Sequence, residues 1–176
     1  MQIIGNRRLP KGTEFGDYSI VSGKFVRGNN EIVDFAYDYW LSKHEGSHLP
    51  RRSDIKPNEL VKHLEHLVIL DVEGEPDAPS YKVRLIGSHV VNFYGEYTGK
   101  DVQEIDTTNA ADRISIMCGL VLKEKQAQLS ITPTKTPDGD QLRIYALYLP
   151  LYDAQDEIHK ILVAIDVRAD REGPKA

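Results

Sequence analysis

Two neighbouring segments near the middle of the chain place the strongest constraint on the fold. The first, HLVILDVEG at residues 66–74, is a compact apolar run next to glycine and proline, as expected for a buried strand. The second, SYKVRLIG at residues 80–87, alternates apolar and charged side chains, so Tyr81, Val83 and Leu85 are expected on one face. The short connection between the two segments predicts an antiparallel hairpin.

Three more strand-like segments lie toward the end of the chain. They are QLSITPT, QLRIYALYLPLY and HKILVAIDV, at residues 128–134, 141–152 and 159–167. The sequence TPDGD between the first two is a strong hairpin signal. A short helix after residue 87 and a longer one at 110–126 precede these strands. This order predicts an α+β fold with a five-stranded antiparallel sheet and helices on one face.

The part of the chain before the hairpin divides into an arm and a helix. Residues 1–30 are rich in Gly, Asn and Lys and predict a weakly ordered N-terminal arm, with a short strand within DYSIVSGKFV. An amphipathic flanking helix is expected over residues 31–44. With 176 residues, of which 40% are hydrophobic, the chain suits one domain at 31–168, followed by a tail at 169–176.

Composition argues against several classes of partner. The 22 basic and 27 acidic side chains give a net charge of −5, and the basic residues cluster only in pairs, so no nucleic-acid surface is expected. No segment approaches the roughly 20 apolar residues of a membrane-spanning helix. The single cysteine, Cys118, excludes an internal disulfide. These features predict a cytoplasmic protein without membrane insertion.

A glycine-containing stretch after the hairpin, GEYTGKD at residues 95–101, does not match a phosphate-binding loop. A Walker A motif has four residues between its glycines and a serine or threonine after the lysine. Here three residues separate the glycines, and Asp101 follows the lysine, where its carboxylate would repel phosphate. The stretch is therefore not expected to bind a nucleotide phosphate.

Several motifs in register resemble the bacterial PAS-domain family. They are LPRRSDIKPNEL, HLEHLVILDVE and YKVRLIGSHVVNFYGEYTGK, within a resemblance that covers about residues 35–167. The residues on the family pattern are Arg52, Asp54, Pro57, His66, Asp71, Val72, Arg84, Gly87, Gly95, Thr98 and Gly99. Mild departures are Glu65, where proline is common, and Ser88, where threonine is usual.

The resemblance implies a sensory or interaction module in which two strands precede the helices and three follow them. It also implies that the YTGKD stretch forms a structural turn, with Gly99 at a helix end and Thr98 as the cap of the next turn. Some members bind a small molecule between the sheet and the helices, so an unidentified ligand there is compatible with the family. The candidate pocket or motif residues are Arg52, Asp54, His66, Arg84, Tyr94, Thr98, Gly99, Met117 and Cys118.

The residues that haem and flavin ordinarily need are missing, so neither cofactor is predicted. Haem-binding members carry a histidine on the long helix, which has none; His89 remains a candidate, but we interpret it as a surface or capping residue. Flavin-binding photosensors carry a cysteine on the short helix, whereas Cys118 lies on the long helix and suits the core. His63 and His66 have ligand-like spacing, but no complete ligand set is visible and no metal site is predicted.

Arg84 is the polar side chain of greatest functional interest, because it is fixed on the hairpin and its guanidinium could bind a carboxylate. The alternative is a solvated arginine or a structural ion pair with Asp71 or Asp54. No nucleophile elbow or thiol–base pair indicates catalysis, so no catalytic residue is predicted.

Three functions are compatible with the sequence. The leading one is a stand-alone regulatory module that acts through an unknown signalling protein in trans. The second is a ligand-free dimeric adaptor, in which side chains such as Phe93 and Met117 fill the pocket. The third is a small enzyme that uses the α+β cavity.

The flanking helix carries more apolar surface than one docked face should require. Phe35, Tyr37, Trp40 and Leu41 are therefore predicted at or beside a homodimer interface, arranged about a two-fold axis. The alternative is that this helix covers the open face of the sheet within one subunit.

Overall fold

The computed structural model describes residues 8–107 and 109–170, which form seven strands and three α-helices. The strands are β1 (Glu14–Phe15), β2 (Ser19–Ser22), β3 (Leu67–Glu75), β4 (Ala78–Ile86), β5 (Gln128–Lys135), β6 (Gln141–Tyr152) and β7 (Ile158–Ala169). The helices are α1 (Glu31–Ser42), α2 (Ser88–Tyr94) and α3 (Ala110–Glu124). Residues 1–7 of the predicted arm and residues 171–176 of the predicted tail lie outside the described ranges.

All strand pairs are antiparallel, and the sheet runs in the order β1-β5-β6-β7-β3-β4, with β2 also paired to β5. β3 and β4 form the predicted hairpin, and β5 and β6 form another around a turn in which Gly139 has a φ of +91°. β7 lies between β6 and β3, so the first hairpin and the last three strands make one layer. The fold is α+β, as predicted. No helix in the described part of the chain is both long and apolar enough to cross a membrane.

The N-terminal arm is more ordered, from residue 8 onward, than its composition predicted. β1 places Phe15 opposite Thr134, and β2 places Val21 opposite Leu129, so both strands pair with the outer edge of β5. Val26, which follows β2, is fully buried. The arm is ordered by backbone hydrogen bonds to the edge of β5. Such bonds do not require a periodic pattern of side chains, so the sequence gives little sign of them.

The sheet buries both of its faces. α2 and α3 cover one face, as predicted, and the flanking helix α1 covers the other. Val68 and Leu70 of β3 belong to the core beneath α2 and α3, whereas Leu67 and Ile69 belong to the core beneath α1. Because successive strand residues alternate between faces, double burial explains why the β3 segment is a continuous apolar run.

Helix α1 is fixed at both its start and its apolar face. The Asn30 side chain accepts hydrogen bonds from the backbone nitrogens of Ile32 and Val33, at 2.8 and 3.1 Å, and so caps the first turn. Near the other end, Trp40 Nε1 donates to the carbonyl oxygen of Pro150 at 2.9 Å. The helix is therefore part of the same packed unit as the sheet.

This docking corrects the reason given for the predicted dimer helix. Tyr37 and Trp40 are 7% and 6% exposed, because they are buried against the sheet of their own subunit. Phe35 is half-buried and packs on the ring of His63, with ring centroids 4.2 Å apart. Leu41 is the one member of the predicted set that is well exposed, at 42%. As in the alternative, α1 covers a face of the sheet within its own subunit. A homodimer through α1 stays a prediction, and it rests on a smaller exposed apolar surface.

A β-bulge in the hairpin breaks the predicted alternation of β4. Val83 pairs with Leu70, but Leu85 pairs with Ile69, so Arg84 is the additional residue on β4. Leu85 consequently leaves the face that Val83 occupies and is 39% exposed. The prediction that these two side chains share a face was wrong for this reason.

Candidate functional site

A cavity lies between the sheet and helices α2 and α3, on the face opposite α1. Its walls are largely aliphatic and include Val68, Leu70, Val83, Ile144, Val163 and Ile165. The space that can hold the centres of water molecules is about 40 Å³, which is room for only a few waters. We call this space the α3 cavity.

Within residues 8–107 and 109–170, four side chains with polar atoms border the α3 cavity: Tyr94 on α2, Tyr97 in the following loop, Arg113 on α3 and Tyr148 on β6. Burial raises the pKa of Tyr94 and of Tyr148, so both hydroxyls are neutral at physiological pH. Neutral tyrosines can donate hydrogen bonds to an acceptor in an otherwise apolar space. The cavity therefore combines aliphatic walls with a few donors.

Arg113 is a buried charge without a carboxylate partner among the described residues. The residue is 6% exposed, and its Nη2 lies 3.5 Å from the hydroxyl of Tyr94, which is a long hydrogen bond. Its guanidinium carbon lies 5.5 Å from the centroid of the Phe15 ring. None of the ion pairs between residues that the structure describes involves Arg113. Buried charges are ordinarily paired, so the charge of Arg113 is only partly compensated.

Arg113 was missed by the sequence interpretation, although a signal for it exists. The core stripe of α3 was read from Met117, Cys118 and neighbouring apolar residues. Arg113 precedes Met117 by four positions and Val121 by eight, so it lies on the same helical face as both. A cation in line with core positions marks either a buried ion pair or a binding site.

Three titratable side chains meet where β3, α2 and β7 converge. They are His66, His89 and Asp166, whose potential metal-ligand atoms all lie within 4.8 Å of one another. His66 Nδ1 is 2.9 Å from the carbonyl oxygen of Ile165, and His89 Nε2 accepts a hydrogen bond from the backbone nitrogen of Val167 at 3.3 Å. Burial, with a further contribution from His66, lowers the pKa of His89 and favours its neutral form.

These bonds are sufficient to explain the histidine cluster as a structural joint. A carbonyl accepts and a backbone N–H donates, so the ring nitrogens nearest Asp166 are already in use. Asp166 also accepts from the Asn30 side chain at 2.9 Å, which links the joint to the cap of α1. His89 is half-buried here and is not the surface or capping residue that was expected. His63, which was considered with His66 as a ligand pair, is not part of the cluster.

Arg84 is engaged by Asp71. Asp71 is 5% exposed and accepts from Arg84 Nε at 2.7 Å and from its Nη2 at 2.5 Å, while Lys160 Nζ contacts the other carboxylate oxygen. Burial by itself would raise the pKa of Asp71, but the hydrogen bonds from Lys160 and Arg84 outweigh it and hold that pKa below its usual value. Of the alternatives for Arg84, the ion pair with Asp71 is the one present.

Arg52 and Asp54 order the loop between α1 and β3 and do not line the α3 cavity. Asp54 Oδ2 accepts from the backbone nitrogen of Arg51 at 2.9 Å and lies 2.7 Å from His48 Nε2. Arg52 Nη1 donates to the carbonyl oxygen of Ile55 at 3.1 Å. Both motif residues therefore make local structural contacts.

The GEYTGKD stretch covers the outer edge of β4. The backbone nitrogen of Gly99 donates to the Val83 carbonyl at 2.7 Å, and Val83 in turn donates to the Lys100 carbonyl at 2.9 Å. Gly99 has a φ of +82°, a conformation that favours glycine. Thr98 is not the cap that was predicted, because its hydroxyl donates to the glutamate two residues earlier and Asp101 caps the next turn.

Met117 and Cys118 are fully buried in the core beneath α3 and are not among the residues that line the cavity. Burial raises the pKa of the Cys118 thiol, which keeps it protonated and unreactive.

All the predicted pocket or motif residues are described by the structure, and of these Tyr94 alone lines the α3 cavity. The site therefore shares one residue with the predicted set and adds Arg113, Tyr97 and Tyr148.

Comparison with known proteins gives a family match and low-identity structural matches. The profile of the PAS domain family matches residues 31–165. No curated protein matches the chain.

Three similar solved structures share 13% identity with this chain. A light-oxygen-voltage domain studied with a flavin analogue has a TM-score of 0.46, with 64% of this chain and 84% of that chain covered. An RNA-binding light-oxygen-voltage receptor has a TM-score of 0.39, with 69% and 36% covered. The light-state structure of the blue-light photoreceptor Aureochrome1 LOV has a TM-score of 0.40, with 65% and 88% covered. At these values the likeness does not extend to cofactor, partner or mechanism.

The family match spans more than half of the chain. It contains all three α-helices, the strands β3 to β6 and most of β7. On this match the chain belongs to the PAS-domain family.

Proposed function

We propose that this chain is a sensory and regulatory PAS module that receives a small molecule in the α3 cavity and acts on a partner protein. The observation that carries the proposal is the α3 cavity itself, since a mostly apolar concave space with a few polar groups is the usual form of a small-molecule site. A ligand there would contact α2 and α3 on one side and the sheet on the other. Differential contacts with those elements are what a ligand needs to shift a conformational equilibrium.

A ligand-free adaptor is the second candidate, and the small volume of the α3 cavity favours it. Phe93 and Met117 are almost fully buried in the surrounding core, and about 40 Å³ remains for water centres. A space of this size also supports the expectation that neither haem nor flavin is bound, because either would require the walls to move apart.

Action on a protein partner is supported by exposed apolar side chains. Leu41 on α1 is 42% exposed, Ile116 on α3 is 51% exposed, and Val61 before β3 is 67% exposed. We include in the proposal a homodimer that uses Leu41 and an unidentified signalling protein in trans. No nucleic-acid partner is proposed, given the net charge of −5. No enzymatic role is proposed, because the motifs indicate no catalytic group and the one thiol is buried.

Native mass spectrometry of freshly purified protein, with an absorbance scan, tests the proposal. The expected result is a colourless protein that retains a small molecule, which is released on denaturation. Ala146→Leu adds volume to the cavity wall and should remove the retained mass, whereas Ala111→Leu on half-buried α3 surface should keep it. Circular dichroism should be unchanged in both variants.

Three results would count against the proposal. An unliganded mass, with no thermal shift from a metabolite panel, would favour the adaptor. Stoichiometric visible absorbance would overturn the expectation of no haem or flavin. Turnover of a metabolite by the wild type would instead support the third candidate, an enzyme.

A further inference from the structure

We infer that the α3 cavity is built to receive a small monocarboxylate, whose carboxylate pairs with Arg113 and whose apolar part lies among the aliphatic walls. This inference rests on the proposed function, because it names the chemical class that the same cavity would bind. The charge of Arg113 has no anionic partner among the described residues.

The two contacts of the Arg113 guanidinium are weak substitutes for a carboxylate. The Tyr94 hydroxyl is neutral and 3.5 Å away, and Phe15 offers the face of its ring at 5.5 Å. A guanidinium carries five N–H donors and pairs best with two carboxylate oxygens at once. The N–H donors of the Arg113 guanidinium therefore have no carboxylate acceptor among the described residues.

The position of Arg113 in α3 increases the local positive potential. It lies in the fourth position of a helix of 15 residues, where the helix dipole is positive. The Asn109 side chain makes no capping hydrogen bond there. Asp17 and Asp112 border an outer cleft that Arg113 also lines, but neither is among the carboxylates that form ion pairs between described residues. An anion at this point is favoured by both the side chain and the helix.

The surroundings of Arg113 favour a single carboxylate over a more highly charged group. Of the residues that the structure describes, Arg113 is the one cation that lines the α3 cavity. One negative charge is therefore matched, whereas a phosphate dianion would leave excess charge in an apolar space. Tyr94 and Tyr148, both neutral, can donate to a carboxylate oxygen. The remaining walls are aliphatic and suit a hydrocarbon.

The volume of the cavity limits the apolar part. With about 40 Å³ for water centres, the closed cavity suits a short chain or a single ring and not a long acyl chain. Arg113 lines both the cavity and the outer cleft, so the carboxylate would lie at the mouth and the hydrocarbon inside. Hexanoate and phenylacetate are therefore suitable probes, with hexanamide and phenylacetamide as neutral counterparts of the same shape.

Isothermal titration calorimetry of the full chain with these four probes tests the inference. Each carboxylate should bind at least about tenfold more tightly than its amide, since a charge-assisted bidentate pair is stronger than a neutral hydrogen bond. Arg113→Met should abolish this preference and leave amide binding unchanged, while Arg113→Lys should keep part of it. If Arg113→Met does not fold, Arg113→Gln and the wild-type preference provide the same comparison.

The outcomes separate this inference from the proposed function. Equal binding of carboxylate and amide, or a preference that survives Arg113→Met, would overturn the monocarboxylate inference and leave a ligand-binding cavity. A retained neutral molecule in native mass spectrometry, with no binding of the carboxylates, would do the same. If no probe binds and no molecule is retained, both the inference and the ligand part of the proposed function are wrong.

Discussion

Replacing Tyr37 by alanine should destabilise this protein much more than replacing Leu41 four residues later on the same helix. Tyr37 is 7% exposed and lies in the core beneath α1, with its ring centroid 6.1 Å from that of Trp40. Leu41 is 42% exposed. The two substitutions therefore compare a core position of α1 with a surface position while leaving the cap and the other core residues intact.

The magnitudes follow from burial. Truncating a buried aromatic side chain to alanine typically costs about 3–5 kcal/mol in the free energy of unfolding. A leucine that keeps much of its surface in water should lose only about 1 kcal/mol, since full burial of leucine contributes about 1.5–3 kcal/mol. With a urea m-value near 2 kcal/mol/M, these losses lower the unfolding midpoint by about 2 M and about 0.5 M respectively.

Urea unfolding followed by far-ultraviolet circular dichroism, at two protein concentrations, measures both effects. The midpoint of Tyr37→Ala should fall by the larger amount and by the same amount at each concentration, because the ring packs within its own subunit. Equal losses for the two variants would refute this packing of α1. So would a Tyr37→Ala loss that shrinks at higher concentration, since that dependence indicates docking on another copy.

Four further predictions concern the assembly, the ion pair, two glycines and the thiol. Leu41→Glu should lower the mass found by light scattering after gel filtration if the homodimer forms; a wild-type monomer at micromolar concentration would contradict the homodimer. Asp71→Asn should lower the free energy of unfolding by about 1–3 kcal/mol at pH 7. Because the pKa of Asp71 is lowered in the folded state, this difference from wild type should be present above about pH 4 and vanish as the pH falls through the folded-state pKa, which unfolding measurements at a series of acidic pH values will check. Gly87→Ala should cost about 2–4 kcal/mol from overpacking and a displaced hydrogen bond, because the new Cβ would lie 2.3 Å from the Glu65 carbonyl oxygen. The Cβ of Gly99→Ala meets no atom within 4 Å, so this variant should cost only about 1–2 kcal/mol, from its positive φ. A lower melting temperature for Gly99→Ala than for Gly87→Ala would be inconsistent with these contacts. Cys118 should react with a thiol reagent only in denaturant, and rapid labelling of the folded protein would show that it is not buried.

The core strands and helices were predictable because each carries its own periodic signal. The apolar run of β3, the glycine-containing turn before β6 and the apolar stripe of α3 are local patterns that tertiary contacts did not override. The strands of the arm were harder, since β1 pairs with residues more than 100 positions later in the chain. Their order comes from the edge of β5 and not from their own side chains.

Two details of the site show why sequence did not identify it. The bulge at Arg84 shifts Leu85 to the other face, and a one-residue change in register cannot be read from alternation alone. Arg113 was passed over because a long helix ordinarily places arginine in solvent, whereas here α3 turns it inward beside Tyr94. Asp71 and Arg84 were recognised as motif residues, and the structure pairs Asp71 with both Arg84 and Lys160.

The contact between the arm and Arg113 has a consequence for how a signal could leave the domain. Phe15 belongs to β1, which occupies the edge of β5, and the same ring faces the guanidinium at the cavity. A partner strand that displaced β1 would therefore remove that ring from Arg113. By thermodynamic reciprocity, the factor by which such strand exchange changes ligand affinity is the factor by which the ligand changes the affinity for the incoming strand. Measuring either affinity with and without the other component would give the strength of the coupling in both directions.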